Sequence, residues 1–414
     1  MSSPHTRYRR AALLESQARL ALDSVRGDPC ASLLRLKPSR DGHRHYDAIR
    51  RRSELVASRR GLLFTASHPT ARQVLRSDAF GARLAGSPKR PAQGERQSVH
   101  PLDDAFLRMD PPHHTELRAQ AGPPFARNRL TEIDGYLGEV IEHCLDRFPA
   151  GEPIDLIARF AETIPLWTTC RILGLPVEDA PRFASWARLF ARLLDGPRSV
   201  RDCRLSDAAV AEMSDYFRAR IEAPHPSRAA LIDDLARRCP VDLDVKDAIA
   251  TCEMLLLGGF ATTVNLMGNT LHTLLRDPGL RPSSGDYLPI VEESLRFDSP
   301  VQYTVRVAKV DTEVAGQLIT ARTPVVVLLA AANRDPDVFA HPDVFTPGRA
   351  NARSHLAFGA GIHFCLGSAL SLHEVTVAVR RLFDRYPDLV LAGKPQRLRS
   401  RVLRGFSRLP VIAR

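Results

Sequence analysis

The stretch that most constrains this chain is a long apolar run in its second half, EMLLLGGFATTVNLMGNTLHTLL. Its spacing predicts a buried helix over residues 245–276, which Asp242 or Asp244 can cap. At its centre stand Gly258 and Gly259, each of which costs ~1 kcal/mol relative to alanine inside a helix. A core helix that is weakened at its middle needs a reason other than packing.

Length and composition indicate one large unit. The chain has 414 residues, 44% of them hydrophobic, and is longer than most single domains. No flexible linker, internal repeat or charged tract marks a boundary, and helical periodicity dominates. We therefore predict a single domain over residues 1–414, mainly α with a smaller β region, in which residues 1–40 form an N-terminal helical extension.

Composition also bears on location and partners. The apolar runs fall short of the ~18 residues of a membrane span, and the first residues lack the features of a signal peptide. We therefore expect a cytoplasmic monomer without a membrane segment. The net charge is +11, but the arginines are scattered and aromatic residues make up only 6% of the chain. This pattern does not favour nucleic-acid binding and suits a basic face for an acidic protein.

Periodicity predicts the remaining elements. Residues 178–204 contain helical pieces that break at Gly196-Pro197, and residues 79–108 form a long loop of the kind that is usually functional. Apolar alternation in VQYTVRVAKV and TPVVVLL predicts short antiparallel strands, and a basic strand pair closes the chain. Further helices are predicted over residues 131–148, 157–174 and 205–222.

The strongest chemical signal is FGAGIHFCLG, residues 358–367. Cys365 directly precedes a helical pattern, where the helix dipole and free backbone N–H groups stabilise a thiolate. Gly359, Gly361 and Gly367 let the backbone approach something flat and large. The loop lacks the third glycine and the preceding strand of a dinucleotide-binding fingerprint. A single thiolate in a tight backbone collar fits an iron porphyrin.

This loop resembles the heme-ligand loop of the cytochrome P450 family, and three further motifs follow in the family's order. Glu293 and Arg296 match its ExxR pair, with Arg349 in FAHPDVFTPGR as the third member of a structural charge network. GGFATT stands in the place of the oxygen-activating helix. The resemblance extends from about residue 40 to the end. It implies a triangular helical fold around heme b, with Cys365 as the axial iron ligand and Phe358 in its collar.

Heme carries two propionates, and the resemblance assigns cations to them. His114 and Arg118 lie four residues apart in HHTELR, on one helical face, and match the family's HxxxR. Arg306 in VQYTVRV and His363, two residues before the cysteine, match its other propionate contacts.

The resemblance also explains the weakened helix. Gly258 and Gly259 would clear a groove for dioxygen, and Thr262 would offer its hydroxyl to assist proton delivery. The family usually places an acid immediately before this threonine, whereas this chain has Ala261. Water and Thr262 alone would then relay protons, or the substrate would supply the missing group, or the reaction would need less proton delivery. Phe260 adds bulk that is expected to face the pocket.

The family's activity implies a monooxygenase that inserts one oxygen atom from O₂ into a small organic substrate, such as a secondary metabolite, free or bound to a carrier or peptide. The chain contains no flavin or NAD(P)H module, so electrons from NAD(P)H would arrive through a separate reductase and ferredoxin. The missing acid leaves open an oxidative coupling or ring-forming reaction without oxygen insertion. A heme-binding module with little turnover is the third alternative.

Two surfaces complete these expectations. Arginines near the Cys365 loop in sequence, Arg353, Arg380 and Arg381, are expected to steer an acidic ferredoxin. The substrate pocket is expected to draw on residues 81–108, 178–204, 300–304 and 403–408, and the individual residues predicted to line it are Phe260, Ala261, Gln302, Tyr303 and Phe406.

Overall fold

The computed structural model describes residues 19–35, 42–83, 98–149, 151–196, 199–223 and 230–413. Much of the predicted N-terminal extension, and residues 84–97 of the predicted loop, lie outside these ranges. The described chain is mainly helical. Its α-helices are α1 Pro29–Arg35, α2 His43–Arg50, α3 His68–Arg76, α4 His113–Ala121, α5 Thr131–Leu145, α6 Thr163–Leu173, α7 Ala180–Leu193, α8 Val200–Glu222, α9 Leu231–Arg238, α10 Val245–Arg276, α11 Leu288–Phe297, α12 Leu329–Ala332 and α13 Ser368–Arg385.

The strands form a smaller β region beside the helices. One five-stranded sheet has the order β1-β2-β8-β5-β3, in which β2 and β8 are parallel and the other neighbours antiparallel. Smaller sheets pair β6 with β7, β10 with β11, and β4 and β9 with β12. The strands are β1 Val56–Ala57, β2 Leu63–Thr65, β3 Phe80–Gly81, β4 Ile154–Asp155, β5 Thr304–Ala308, β6 Thr312–Val314, β7 Gln317–Ile319, β8 Pro324–Val327, β9 Val390–Leu391, β10 Gln396–Arg397, β11 Phe406–Arg408 and β12 Pro410–Ile412.

Helix α10 is the central element. It has 32 residues with the predicted bounds, and the Asp244 side chain caps it by accepting a hydrogen bond from the Lys246 N–H at 2.8 Å. Helices α6, α7, α8, α11 and α13 all pack against it, so most of its surface lies in the core. Its length and hydropathy would also suit a membrane span, but 78% of the apolar window is buried inside the protein. This burial is that of a core helix.

The helical pieces predicted for residues 178–204 are present. Helix α7 runs from Ala180 to Leu193, and Pro181 occupies its first turn, where a missing N–H costs nothing. Gly196, at the predicted break, has a φ of 83°, and Pro197 lies outside the described residues. Near the end of the chain, the basic strands β10 and β11 pair antiparallel, and β12 pairs with β4 and β9.

Candidate functional site

The loop that precedes α13 is a tight, glycine-dependent turn. Gly359 and Gly361 have φ values of 70° and 72°, a region that side chains rarely adopt. A Cβ on Gly361 would also come within 3.1 Å of the Arg76 Cα, so the loop packs directly on the end of α3. The Cys365 N–H then donates to the Phe358 carbonyl at 2.9 Å and closes the loop. Because only glycine suits these positions, the two glycines determine the position of the Cys365 thiol.

Cys365 lies three residues before Ser368, the first residue of α13. Desolvation by burial raises the pKa of its thiol, while a hydrogen bond from the Gly367 backbone and the charge of Arg118 act in the opposite direction. Cys144 also has a hydrogen bond from Thr163 and the charge of Arg147 nearby, but burial outweighs them and raises its pKa to about 11. Burial raises the pKa of Cys170 to about 12. Cys365 combines a backbone hydrogen bond from Gly367 with the nearby charge of Arg118, and both favour a thiolate.

Helix α4 brings its basic residues to this loop. Arg118 Nη2 donates to the Phe364 carbonyl at 2.5 Å, next to the cysteine. One turn earlier, His114 is 1% exposed, and its ring centroid lies 4.4 Å from that of His363. Neither ring nitrogen of His114, nor Nε2 of His363, has a hydrogen-bond partner. Buried polar atoms without partners are rare in proteins, and each one indicates a missing ligand, ion or water.

Arg306 of β5 joins this group. It is 9% exposed, and its guanidinium donates hydrogen bonds to the Val305 carbonyl at 3.0 Å and, more weakly, to Thr304 Oγ1 at 3.4 Å. Within the described part of the chain it makes no ion pair. Burial lowers the pKa of Arg306, and burial together with the Arg306 charge lowers the pKa of His363 to about 3. An anion in this cluster would relieve the desolvation of all these groups.

The cluster, the thiol and the open helix centre together satisfy the requirements of heme. Propionates are anions that suit His114, Arg118, Arg306 and His363, and Cys365 offers one thiolate of the kind that ligates heme iron.

The centre of α10 borders an open space. Gly258 is exposed, although Leu257 before it is buried, and a Cβ there would meet no atom within 4 Å. Thr262 lies one turn further on the same face, and its hydroxyl donates to the Gly258 carbonyl at 2.8 Å. Gly259 does not provide clearance as predicted. A Cβ there would come 2.7 Å from Thr169 Oγ1 on α6, so this glycine serves helix packing.

A side-chain contact ties α10 to the helix that follows the cysteine. Thr263 and Ser371 lie 3.2 Å apart, oxygen to oxygen, between α10 and α13. Thr263 directly follows Thr262, and Ser371 lies one helical turn and a half after Cys365. The contact therefore sets the helix that carries GGFATT against the base of the cysteine loop.

Three of the predicted pocket residues are buried elsewhere. Phe260 is 2% exposed within the main core, because it points away from the face that carries Gly258. Gln302 accepts a hydrogen bond from the Tyr46 hydroxyl at 3.0 Å and donates to the Ser299 carbonyl, which makes it a structural link. Phe406 is 3% exposed and packs on His272 at 4.5 Å between ring centroids. Ala261 and Tyr303 keep partial exposure.

The structure brings the three members of the charge network together. Arg296 forms two hydrogen bonds to the Glu293 carboxylate, at 2.7 and 2.8 Å, and both residues are 0% exposed. Arg349 Nε donates to the same carboxylate at 3.0 Å. The Arg296 guanidinium also donates to the carbonyls of Asn333 and Pro342, which fixes the coil before the cysteine loop. Removal of one partner would leave a buried charge unpaired, so this network holds the fold in place.

Two buried acids were not anticipated from the sequence. Glu374 on α13 is 2% exposed, one of its carboxyl oxygens has no partner, and burial raises its pKa to about 8. Glu253 on α10 is 0% exposed and also has one unpartnered oxygen. The signal available in the sequence was a single glutamate on the apolar face of each helical pattern.

The arginines predicted to form a docking face differ in availability. Arg381 pairs with Glu142 on α5, and Arg353 pairs with Glu292 on α11, both at 2.9 Å. Arg380 is exposed. The positive charge of the first two is therefore partly compensated by neighbouring carboxylates.

Comparison with known proteins identifies the family. The model of the cytochrome P450 family matches residues 288–404. A putative cytochrome P450 140 of Mycobacterium tuberculosis is 36% identical over 387 residues, 88% of this chain and 87% of the relative. The vitamin D(3) 25-hydroxylase of Pseudonocardia autotrophica is 36% identical over 318 residues, 74% of this chain and 77% of the relative.

A solved structure agrees with the sequence comparisons. P450BioI, in complex with an acyl carrier protein ligated to hexadec-9Z-enoic acid, matches with a TM-score of 0.83 and 29% identity, over 90% of this chain and 99% of that one. The mainly helical fold with a smaller β region is thereby confirmed. These matches place the molecule in a class of heme-thiolate enzymes. The chain belongs to the cytochrome P450 family of monooxygenases.

Proposed function

We propose that this chain holds heme b through Cys365 and transfers one oxygen atom from O₂ to a small organic substrate, with electrons from a ferredoxin. The observation that carries the proposal is the group of unpartnered nitrogens on His114 and His363 beside Arg306, next to the cysteine loop. Among the described residues, this is where a buried dianionic group with one thiolate ligand is best accommodated.

Each binding residue has a separate part. Cys365 would supply the thiolate ligand, and Gly359 and Gly361 would let its loop lie close to the bound group. His114 and Arg306 take the propionates, because the His114 nitrogens have no hydrogen-bond partner and Arg306 makes no ion pair within the described part of the chain. Bound heme supplies reductive activation of O₂, in which two electrons and two protons convert one oxygen atom to water and the other joins the substrate.

Proton delivery depends on α10. The single proton of the Thr262 hydroxyl is donated to the Gly258 carbonyl, so its oxygen lone pairs are free to accept a hydrogen bond from water or substrate. Ala261 has no ionisable group that could donate a proton. We propose that Thr262 orients a water or a substrate hydroxyl at the open space beside Gly258, and that protons arrive through that partner.

Electrons are proposed to come from NAD(P)H through a separate reductase and an acidic ferredoxin. Arg380 on α13 is exposed, and Arg353 has a side chain that is 74% exposed although it is paired with Glu292. Such charges raise association rates with an acidic partner more than they raise affinity. A cytoplasmic location is part of the same proposal.

The substrate is proposed to be an organic metabolite. The Pseudonocardia relative is named a hydroxylase, which supports oxygen insertion. The P450BioI structure holds a fatty acid on a carrier protein, which supports testing carrier-bound substrates here. The absence of an acid at Ala261 supports a second candidate, oxidative coupling, in which the substrate loses hydrogen and gains no oxygen.

One experiment separates these candidates. Purified protein is supplied with NADPH, a surrogate ferredoxin and its reductase, and substrates are first selected from a metabolite library by the shift of the Soret band. Mass spectrometry of the products then distinguishes gain of one oxygen atom from loss of two hydrogen atoms. NADPH consumption without any product across the selected compounds would contradict both activities.

A further inference from the structure

Glu253 takes no part in the site described above, yet it is completely buried in α10. Its side chain points to α8, where its Oε1 lies 3.2 Å from Ser214 Oγ. Its Oε2 has no hydrogen-bond partner. Burying a charged carboxylate with one weak hydrogen-bond neighbour costs free energy. The neutral, protonated form of Glu253 is therefore favoured, and the question is which group accepts its proton in a hydrogen bond.

The hydrogen bonds of Ser214 locate that proton. The Ser214 oxygen accepts from the Val99 N–H at 2.8 Å and donates to the Val99 carbonyl at 2.9 Å. A serine hydroxyl has one proton, so none is left for Glu253 while the bond to the Val99 carbonyl is kept. The 3.2 Å contact is then a hydrogen bond only if Glu253 is the donor.

Burial acts in the same direction, since it raises the pKa of Glu253 well above its usual range. Donation from Ser214 to Glu253 would lower this pKa, but the Ser214 proton is used for the Val99 carbonyl, and the nearby carboxyl of Asp104 raises the pKa further. Asp104 itself accepts a hydrogen bond from the His100 N–H at 2.8 Å. The Cys252 thiol is the titratable neighbour on the same helix.

This arrangement anchors a segment that reaches the proposed heme site. Val99 lies near the start of residues 98–108, and Phe106, near their end, lies edge-on to His114 at 6.1 Å between ring centroids. The short helical turn Phe106–Arg108 packs on both α4 and α10. Two attachments therefore hold the segment, one at Ser214 and one beside His114.

We infer that Glu253, as a neutral carboxylic acid, is the positioning residue that fixes residues 98–108 against α8 and α10 and so shapes the pocket beside His114. The inference rests on the proposed function of that pocket. Ionisation of Glu253 removes the donor to Ser214 and places a buried charge near Asp104. Alkaline conditions therefore loosen the Val99 end of the segment and weaken ligand binding.

The test uses the heme-loaded full chain and econazole as the probe, titrated by the shift of the Soret band from about pH 6 to about pH 9.5. Hydrogen–deuterium exchange of residues 98–108 is followed under the same conditions. Wild type, Glu253→Gln and Ser214→Ala are compared. Glu374→Gln is the matched control, because Glu374 is an equally buried acid on α13 that lies outside this arrangement.

In wild type we expect econazole to bind about tenfold more weakly at the alkaline end, with faster exchange of residues 98–108, as loss of one buried hydrogen bond implies. Glu253→Gln should bind equally well at all pH values, because its amide donates to Ser214 as the acid does. Ser214→Ala should bind weakly at every pH with normal heme content. Glu374→Gln should keep the wild-type profile.

A wild-type pH profile in Glu253→Gln, in both affinity and exchange, would overturn the inference. So would unchanged exchange in Ser214→Ala. Failure of the wild-type protein to take up heme would instead contradict the proposed function, and the exchange measurements on the apoprotein would still test the attachment of residues 98–108.

Discussion

At the scale of single residues, the basic side chains around the cysteine loop are buried, and this burial costs them the solvation that they would have in water. His114 and His363 lie 4.4 Å apart between ring centroids, with their planes tilted by 58°, and carry unpartnered nitrogens. Arg306 is buried without a carboxylate within ion-pairing distance in the described chain. Groups placed in this way destabilise a protein that holds nothing between them and stabilise one that holds an anion. The arrangement favours ligand binding over stability of the free protein.

Cys365 should be the only cysteine that affects the heme spectrum. Cys365→Ala should abolish the Soret band of the reduced carbon monoxide adduct and most heme retention. Cys170→Ala and Cys252→Ala should keep the band, because both thiols are 0% exposed and burial raises their pKa. Absorption spectra of the three purified variants make the comparison. A normal band in Cys365→Ala would exclude this residue as the ligand.

Arg306 should contribute to heme affinity and not to the ligand spectrum. Charge-assisted hydrogen bonds contribute about 1.5–3 kcal/mol each, so Arg306→Leu should bind heme roughly ten- to a hundredfold more weakly. Arg118→Leu should behave similarly and should also loosen the loop at Phe364, because Arg118 donates to its carbonyl. Heme titration of the apoprotein measures both. Arg380→Leu, an exposed control, should bind as wild type.

At the scale of elements, the two central glycines of α10 should respond in opposite ways to alanine. Gly258→Ala meets no atom within 4 Å and should raise stability by up to ~1 kcal/mol through helix propensity. It should lower turnover, because it fills the open space. Gly259→Ala would come 2.7 Å from Thr169 Oγ1 and should cost about 1–3 kcal/mol.

Denaturant unfolding and product formation measure these effects. The double variant Gly259→Ala with Thr169→Ala should recover part of the lost stability, because it removes the oxygen that the new methyl group would meet. Equal stability changes in both glycine variants would contradict the assignment of one glycine to open space and the other to packing.

The same helix tests the missing acid. Ala261→Asp should not improve the coupling of NADPH oxidation to product, because a carboxylate there enters a mostly apolar setting and would be protonated or disturb the substrate. Thr262→Ala should increase uncoupled peroxide release, because it removes the hydroxyl beside Gly258. The yields of product and of peroxide per NADPH consumed test both predictions. Better coupling in Ala261→Asp would show that the chain lacks an acid that it needs.

The sequence predicted elements better where the signal is local. The bounds of α10 were correct because its long apolar face is bounded by a capping aspartate, Asp244, at one end and by Pro278 just beyond the other. The loop around Cys365 was predicted because its glycines and thiol are adjacent in sequence. The packing role of Gly259 and the burial of Phe406 depend on Thr169 and His272, which lie on other elements. Single-sequence periodicity does not contain such long-range contacts.

At the scale of the whole molecule, two of the helices are joined by a regular series of ion pairs. Helices α5 and α13 run parallel, and the partners in each pair are 239 residues apart in sequence. Each such surface pair contributes little, about 0–1 kcal/mol, so the series sets the alignment of the helices more than it stabilises them. The pairs are Asp134 with His373, Glu142 with Arg381, and Asp146 with Arg385.

Global stability should fall as pH rises through the neutral range. Glu374 has its pKa raised by burial from 4.5 to about 8, so the folded state keeps a proton that the unfolded chain releases. The stabilising contribution of Glu374 is therefore full below the ordinary carboxyl pKa and is lost progressively up to about pH 8, by on the order of 2–4 kcal/mol. The buried His272 and His355, whose pKa values burial lowers to about 4, act in the opposite direction below about pH 6.5. Urea unfolding from about pH 6.5 to about pH 9 should therefore show the falling slope, and Glu374→Gln should flatten it. An unchanged slope in Glu374→Gln would assign the effect to other groups.

The contacts around Cys365 also set an order of events during synthesis. His114, Arg306, Cys365 and Ser371 belong to segments that are far apart in sequence, and their contacts close only once α13 is available. Nearly the whole chain must therefore leave the ribosome before the residues around Cys365 can come together. The nascent protein should not capture the cofactor, and loading should follow completion of the chain.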